Sequence, residues 1–221
     1  MKTESCLFFV LFFSAIFFVS AASPYECMSP DGRVVVTANL TQNNRLVFSV
    51  DFKDQPLLQQ SNTGLAFADL TDMHENLQIL DVQNSEYSNT WQRIWGKRHE
   101  VLNHYNEMLV KLQESQQPGR RLNVIFRVYN NGIALRYEIP EQTAVDSFAL
   151  TADLTEYNLS QDCQVWAVNY GGFASHQESE FIAQKFTDLS PDSVYGLPML
   201  IQHSDSVWLS ITEADLTDWA G

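Results

Sequence analysis

Residues 122–139 constrain this chain more than any other stretch. Leu122, Val124, Phe126 and Val128 alternate with Asn123, Ile125, Arg127 and Tyr129, and Asn130, Asn131 and Gly132 then turn the chain into a second apolar run, residues 133–139. Alternation at period two marks a half-buried strand, and Asn-Gly between two such runs marks a hairpin. A similar pair precedes it. Val34–Leu40 is rich in β-branched residues, Leu46, Phe48, Val50 and Phe52 alternate with Val47, Ser49 and Asp51, and Gln42, Asn43 and Asn44 supply turn chemistry between them. Shorter strand candidates follow at residues 108–112, 148–154, 164–168 and 207–212. Helical periodicity is weak throughout, and 12% of the residues are aromatic. Many short strands with polar or glycine-bearing connections predict an all-β, antiparallel sandwich. No internal repeat or Pro- and Gly-rich linker divides the mature chain, so one domain is expected.

Residues 1–22 stand apart from that domain. Lys2 is followed by an almost unbroken apolar run over residues 7–19, then by Ser20, Ala21 and Ala22. The run is short for a bilayer span and ends in a small-residue cleavage pattern, which predicts a cleaved signal peptide and an exported protein, periplasmic or extracellular. No second apolar stretch of membrane length appears. About 200 residues then remain, ample for one β-domain but short for that domain plus a (β/α)₈ barrel, which alone needs roughly 250. The formal charge of -14 repels phosphate backbones and anionic membranes, which excludes nucleic acid as the expected partner. Of three cysteines, Cys6 leaves with the signal, and the sequence leaves open whether Cys27 and Cys163 pair in the oxidising compartment.

Few residues suggest chemistry directly. His99 and His104, with Glu100 between, resemble a zinc-protease helix motif, but residues five apart lie on opposite faces of a strand and about 140° apart on a helix. Surface or packing histidines are therefore expected. Carboxylate pairs such as Glu178 with Glu180 are common in a chain with 27 acidic residues and indicate a solvated face by themselves. No catalytic residue emerges. Trp91 and Trp95, four apart and followed by Gly96 in a polar context, could form a stacking surface for a sugar ring, with Tyr170 as a further aromatic candidate, although packing is the commoner fate of tryptophan.

Four segments together carry a family likeness: SPDGRVVV from Ser29, WQRIWGKRHEVLNHYNEM from Trp91, FRVYNNGIALRYEIPEQ from Phe126 and ITEADLTDWAG from Ile211. They resemble the N-terminal domain of glycoside hydrolase family 97, bacterial α-glucosidases and α-galactosidases, and the likeness covers nearly all of residues 23–221. The resemblance implies a β-supersandwich of the galactose mutarotase-like kind, preceding a catalytic barrel that holds the catalytic carboxylates. It implies a non-catalytic, carbohydrate-binding domain of a calcium-dependent α-glycosidase, with an α-linked oligosaccharide and the barrel as partners and no hydrolase activity from this chain alone. It also implies one calcium ligand from this domain, a glutamate in a loop after a strand tryptophan. Trp166 takes the tryptophan's place and Glu178 fits the glutamate, with Glu180 competing because the loop is about three residues longer than the family's. Lys97 departs from the pattern, since the family usually carries an acidic residue directly after the Trp-Gly pair. A stand-alone carbohydrate-binding or assembly module of the bacterial envelope is the alternative expectation.

Overall fold

The computed structural model describes residues 24–214, so the expected signal peptide and the last seven residues lie outside the described residues. In chain order the strands are β1 (Tyr25–Met28), β2 (Val34–Leu40), β3 (Leu46–Phe52), β4 (Gln55–Asn62), β5 (Leu65–Phe67), β6 (Leu77–Gln92), β7 (Glu100–Glu114) and β8 (Arg121–Tyr129). They continue as β9 (Gly132–Glu138), β10 (Leu150–Asp153), β11 (Asn158–Leu159), β12 (Gln164–Asn169), β13 (Phe181–Lys185), β14 (Tyr195–Gln202) and β15 (Trp208–Ile211). Every pairing between them is antiparallel. The all-β, antiparallel sandwich expected from the alternation is the architecture found.

Two sheets form the sandwich, one ordered β1-β2-β3-β4-β11 and the other β6-β7-β8-β9, with the short ribbon β10-β5 beside them. The apolar halves of the alternating strands meet between them. Val36, Ala38, Leu46 and Phe48 come from one sheet and Met108, Val110, Val124, Phe126 and Val128 from the other, all buried in a single cluster. Phe48 and Phe126 touch across the gap with ring centroids 5.5 Å apart. Burying each such phenyl group contributes about 1.5–3 kcal/mol. The β2-β3 hairpin has the expected bounds, and Asn44 takes the positive φ of 53° that its turn requires. The β8-β9 turn differs in register: Tyr129 pairs with Gly132, so Asn130 and Asn131 alone make the turn and Gly132 opens β9.

Charge is buried at one point of the sandwich. Arg120, the residue before β8, is 2% exposed and donates to both Glu114 oxygens at 2.8 and 2.5 Å. It also donates to the Thr71 carbonyl at 2.6 Å and lies over the Phe67 ring. The paired, hydrogen-bonded geometry is what permits a guanidinium there.

A third sheet, ordered β13-β12-β14-β15, follows in sequence. Its inner face carries a small cluster of Cys163, Val165 and Ile201, with Leu209 and Ile211 packed against it, and Leu159 touches both this cluster and the sandwich core. Buried His203 joins sheet to sandwich. The Gln55 amide donates to His203 Nδ1 at 3.2 Å, which leaves Nε2–H to donate to the Ser160 hydroxyl at 2.8 Å, and that hydroxyl donates onward to the Pro56 carbonyl at 2.6 Å. Cys27 and Cys163 are both buried free thiols, so the pairing left open by the sequence is not formed. The reason is location, because Cys27 belongs to the sandwich core and Cys163 to the smaller cluster. Burial, with Glu107 nearby, pushes the Cys27 thiol up to about 11.

Candidate functional site

The four residues singled out for binding fall into two groups on two different sheets. Trp91 and Trp95 belong to the β6-β7 hairpin. β7 pairs with β8 only from Tyr105 onward, so residues 88–92 and 100–104 continue as a two-stranded arm with no third strand beside them among the described residues. Five residues at roughly 3.3 Å each carry the arm about 17 Å past the sheet. A tyrosine from each of three strands marks its root, with Tyr87 and Tyr105 stacked at 5.2 Å and Tyr105 and Tyr129 at 5.1 Å. Arg127 sits over Tyr105 and is held by Glu107 at 2.8 Å.

At the tip, the Arg93 amide donates to the His99 carbonyl at 2.7 Å, closing a loop in which Gly96 has φ +110°, a conformation side chains rarely adopt. The Arg93 guanidinium lies 6.0 Å from the Trp91 ring centroid and 5.7 Å from that of Trp95. Each ring thus has a cation near one face. Trp95 is 78% exposed and Ile94 97% exposed, while Trp91 and Leu102 are also well exposed. His104 bonds Glu86 across the arm at 2.9 Å, and His99 serves the loop closure through its backbone.

Tyr170 and Glu178 lie together in residues 170–180, the connection from β12 to β13. Tyr170 is half-buried, with its amide donating to the Val194 carbonyl at 2.8 Å. Its hydroxyl lies over Gly196, where an added Cβ would come within 2.5 Å of it. The missing side chain at Gly196 is therefore what lets Tyr170 take this position. Glu178 is exposed, and its amide donates to His176 Nδ1 at 2.9 Å. Gln177, just before it, has φ +55°, a left-handed turn that sets the direction of the Glu178 side chain. Among the described residues no hydrogen bond or ion pair engages the carboxylate of Glu178 or of Glu180, and no cluster of three or more His, Cys, Asp or Glu side chains is grouped to hold a metal ion.

The outer face of the same sheet holds an aromatic pair of which the sequence reading named only Trp166, and that as the strand tryptophan before the loop and not as a binding residue. Trp166 on β12 and Trp208 on β15 stack over the intervening β14 with centroids 5.2 Å apart. Leu200 of β14 is in register with Trp166, and Trp208 is 48% exposed. Phe173, in the connection that holds Glu178, is also exposed. A signal for Trp208 was present in the alternation, which puts Leu209 and Ile211 on one face and leaves a tryptophan on the other. No helix among the described residues is long and apolar enough to cross a membrane.

Fold and site define a class: an antiparallel β-sandwich module bearing a third sheet whose outer face is aromatic and whose β12-β13 connection presents free carboxylates. The family described as "Glycosyl-hydrolase 97 N-terminal" matches residues 27–221, and the chain belongs to that family. A retaining alpha-galactosidase of Bacteroides thetaiotaomicron is 23% identical over 212 residues, covering 92% of this chain and 30% of its own length. A family 97 enzyme from Pseudoalteromonas sp. strain K8 in complex with panose shares the fold with a TM-score of 0.75 at 24% identity, over 87% of this chain and 28% of that one. The same strain's enzyme in complex with acarbose gives 0.72 at 24% identity, over 87% and 28% of the two chains. A beta-arabinopyranosidase gives 0.72 at 20% identity, over 86% and 31%. The chain thus spans about 30% of the length of these relatives.

Proposed function

We propose that this chain is the carbohydrate-side domain of an exported, calcium-dependent α-glycosidase. In this reading residues 170–180 border the sugar, Tyr170 offers its ring to an α-linked oligosaccharide, and Glu178 lends one carboxylate to a calcium ion completed by the catalytic domain. The observation that carries the reading is the free Glu178 carboxylate on an exposed connection beside Tyr170. Complexes of relatives with panose and acarbose support an oligosaccharide as the ligand. Calcium takes six to eight oxygen ligands, so Glu178, even with Glu180 two residues on, fits as a contributor and not as a site. When bound, the ion would supply positive charge next to the sugar. The domain's own residues would orient the sugar and exclude water, the catalytic carboxylates lying in another domain.

Isothermal titration of the mature chain with panose, maltotriose and melibiose, with and without calcium, tests this. Weak binding is expected, indifferent to calcium and lowered at least about tenfold by Tyr170→Ala, with no hydrolysis of nitrophenyl α-glycosides. Turnover that copurifies with the chain would place catalysis within it and refute the assignment. A loss of binding on Trp91→Ala or Trp95→Ala with Tyr170→Ala silent would move the sugar to the arm and favour a stand-alone binding module.

A further inference from the structure

Two side-chain hydrogen bonds cross from residues 161–214, which hold the third sheet, to the sandwich, and both end on the ring of His203. His203 is the first residue after β14, and its amide donates to the Val207 carbonyl at 3.0 Å, closing the turn that leads to β15. Its own carbonyl accepts from the Gln161 side-chain amide, in the link between β11 and β12. The backbone on both sides of the ring is thus fixed before the ring reaches the sandwich.

There the ring meets Gln55 and Ser160. Gln55 opens β4, and Lys53 and Asp54, at φ 50° and 63°, turn β3 into it. Ser160 continues the β11 pairing, its amide donating to the Leu57 carbonyl of β4 at 3.0 Å. Both partners therefore belong to the sandwich framework. A buried polar group adds little net stability while paired and costs much more when its partner is removed, so a tie of this kind is close to all-or-none.

The apolar tie beside it is small. Three buried residues, Cys163, Val165 and Ile201, form the third sheet's cluster, and Leu159 links them to the sandwich core. A region with few buried apolar contacts to the rest of a fold is one that opens by itself.

We infer that His203 is the latch that seats the third sheet on the sandwich, and that removing its ring nitrogens lets residues 161–214 open as a unit while the sandwich stays folded. Residues 170–180 join β12 to β13 of that sheet, so the latch also fixes where Tyr170 and Glu178 stand relative to the sandwich, whatever they bind. The two free thiols report on the two units, Cys163 from the third sheet's cluster and Cys27 from the sandwich core.

Labelling of the mature chain with an aromatic disulfide reagent under native conditions, with peptide mass spectrometry to tell the thiols apart, tests the inference. In the wild-type chain both thiols are expected to react together, at the rate of global unfolding. In His203→Phe, which keeps a ring but neither nitrogen, Cys163 should react about tenfold or more ahead of Cys27, because two buried partners lose their hydrogen bonds. Phe126→Ala, which weakens the sandwich core, should speed both thiols alike. Should His203→Phe not fold, Gln55→Leu removes one of the two bonds at a half-buried position, and a smaller lead for Cys163 is expected. Equal rates for the two thiols in the folded latch variants overturn the inference, as does a lead for Cys163 that is already as large in the wild-type chain.

Discussion

Phe126 on β8 is wholly buried against Phe48, whereas Trp208 on β15 stacks on Trp166 with about half of its surface in water. Both residues sit on antiparallel strands with apolar alternation, so their difference lies in what faces them. The sandwich has a sheet on each side of its core. The third sheet has the sandwich-side cluster on one face and, within the described residues, no cover on the other. Stability is thus concentrated in the first region, and among the described residues the aromatic surface, the free carboxylates and the arm tip stay exposed.

Substitutions that remove volume or break charge pairing should separate the two regions. Phe126→Ala is expected to lower unfolding free energy by about 3–5 kcal/mol in denaturant melts, the cost of a large cavity in a closed core. Arg120→Leu should cost a similar or slightly smaller amount, about 3 kcal/mol, because Glu114 stays largely buried without its partner. In the smaller cluster, Ile201→Ala should cost about 2 kcal/mol, at the lower end for such a change, since its neighbours are half-exposed and can relax. Trp208→Ala should cost about 1–2 kcal/mol, the stacking contribution plus the burial of about half of the ring. A cost for Trp208→Ala equal to that of Phe126→Ala would break the distinction.

A pH slope is read separately from these substitutions. The Cys27 thiol is raised to about 11 by burial, while in the unfolded chain it ionises near its ordinary value of 9.0. A group raised on folding contributes fully below its unfolded value and loses that contribution as pH climbs toward the folded one. Stability should therefore fall between about pH 9 and 11, and Cys27→Ala should make that slope shallower, the part that remains coming from Cys163 and the tyrosines Tyr137 and Tyr157, which burial also raises. The buried thiols should also react with an aromatic disulfide reagent only after unfolding, both at once, which would contradict any Cys27 to Cys163 bridge.

Strands whose two faces meet different surroundings were legible in the sequence. β2, β3, β8 and β9 emerged with bounds within a residue or two, because Val36, Phe48 and Phe126 repeat at period two against polar neighbours. β6 was not legible: from Glu86 to Gln92 it is exposed on both faces, so no alternation records its sixteen residues. β4 was hidden likewise, as Pro56 and three glutamines blur the pattern, and its turn puts Lys53, a residue not typical of that geometry, at positive φ before Asp54. Sequence reading brought Tyr170 and Glu178 into the candidate site and the fold put them in one connection. It also proposed Trp91 and Trp95, and only the register of β7 with β8 revealed that these two stand on a projecting arm. The Trp166 and Trp208 stack joins residues 42 apart across a middle strand, a contact that local pattern does not encode.

The most direct test of the central claim is a heteronuclear NMR titration of the labelled mature chain with panose. Shifts concentrated in residues 170–180 and the adjoining ends of β12 and β13 are the expected result, with the sandwich core silent. Shifts confined to the arm around Trp91 and Trp95, or none at saturating sugar, would contradict it.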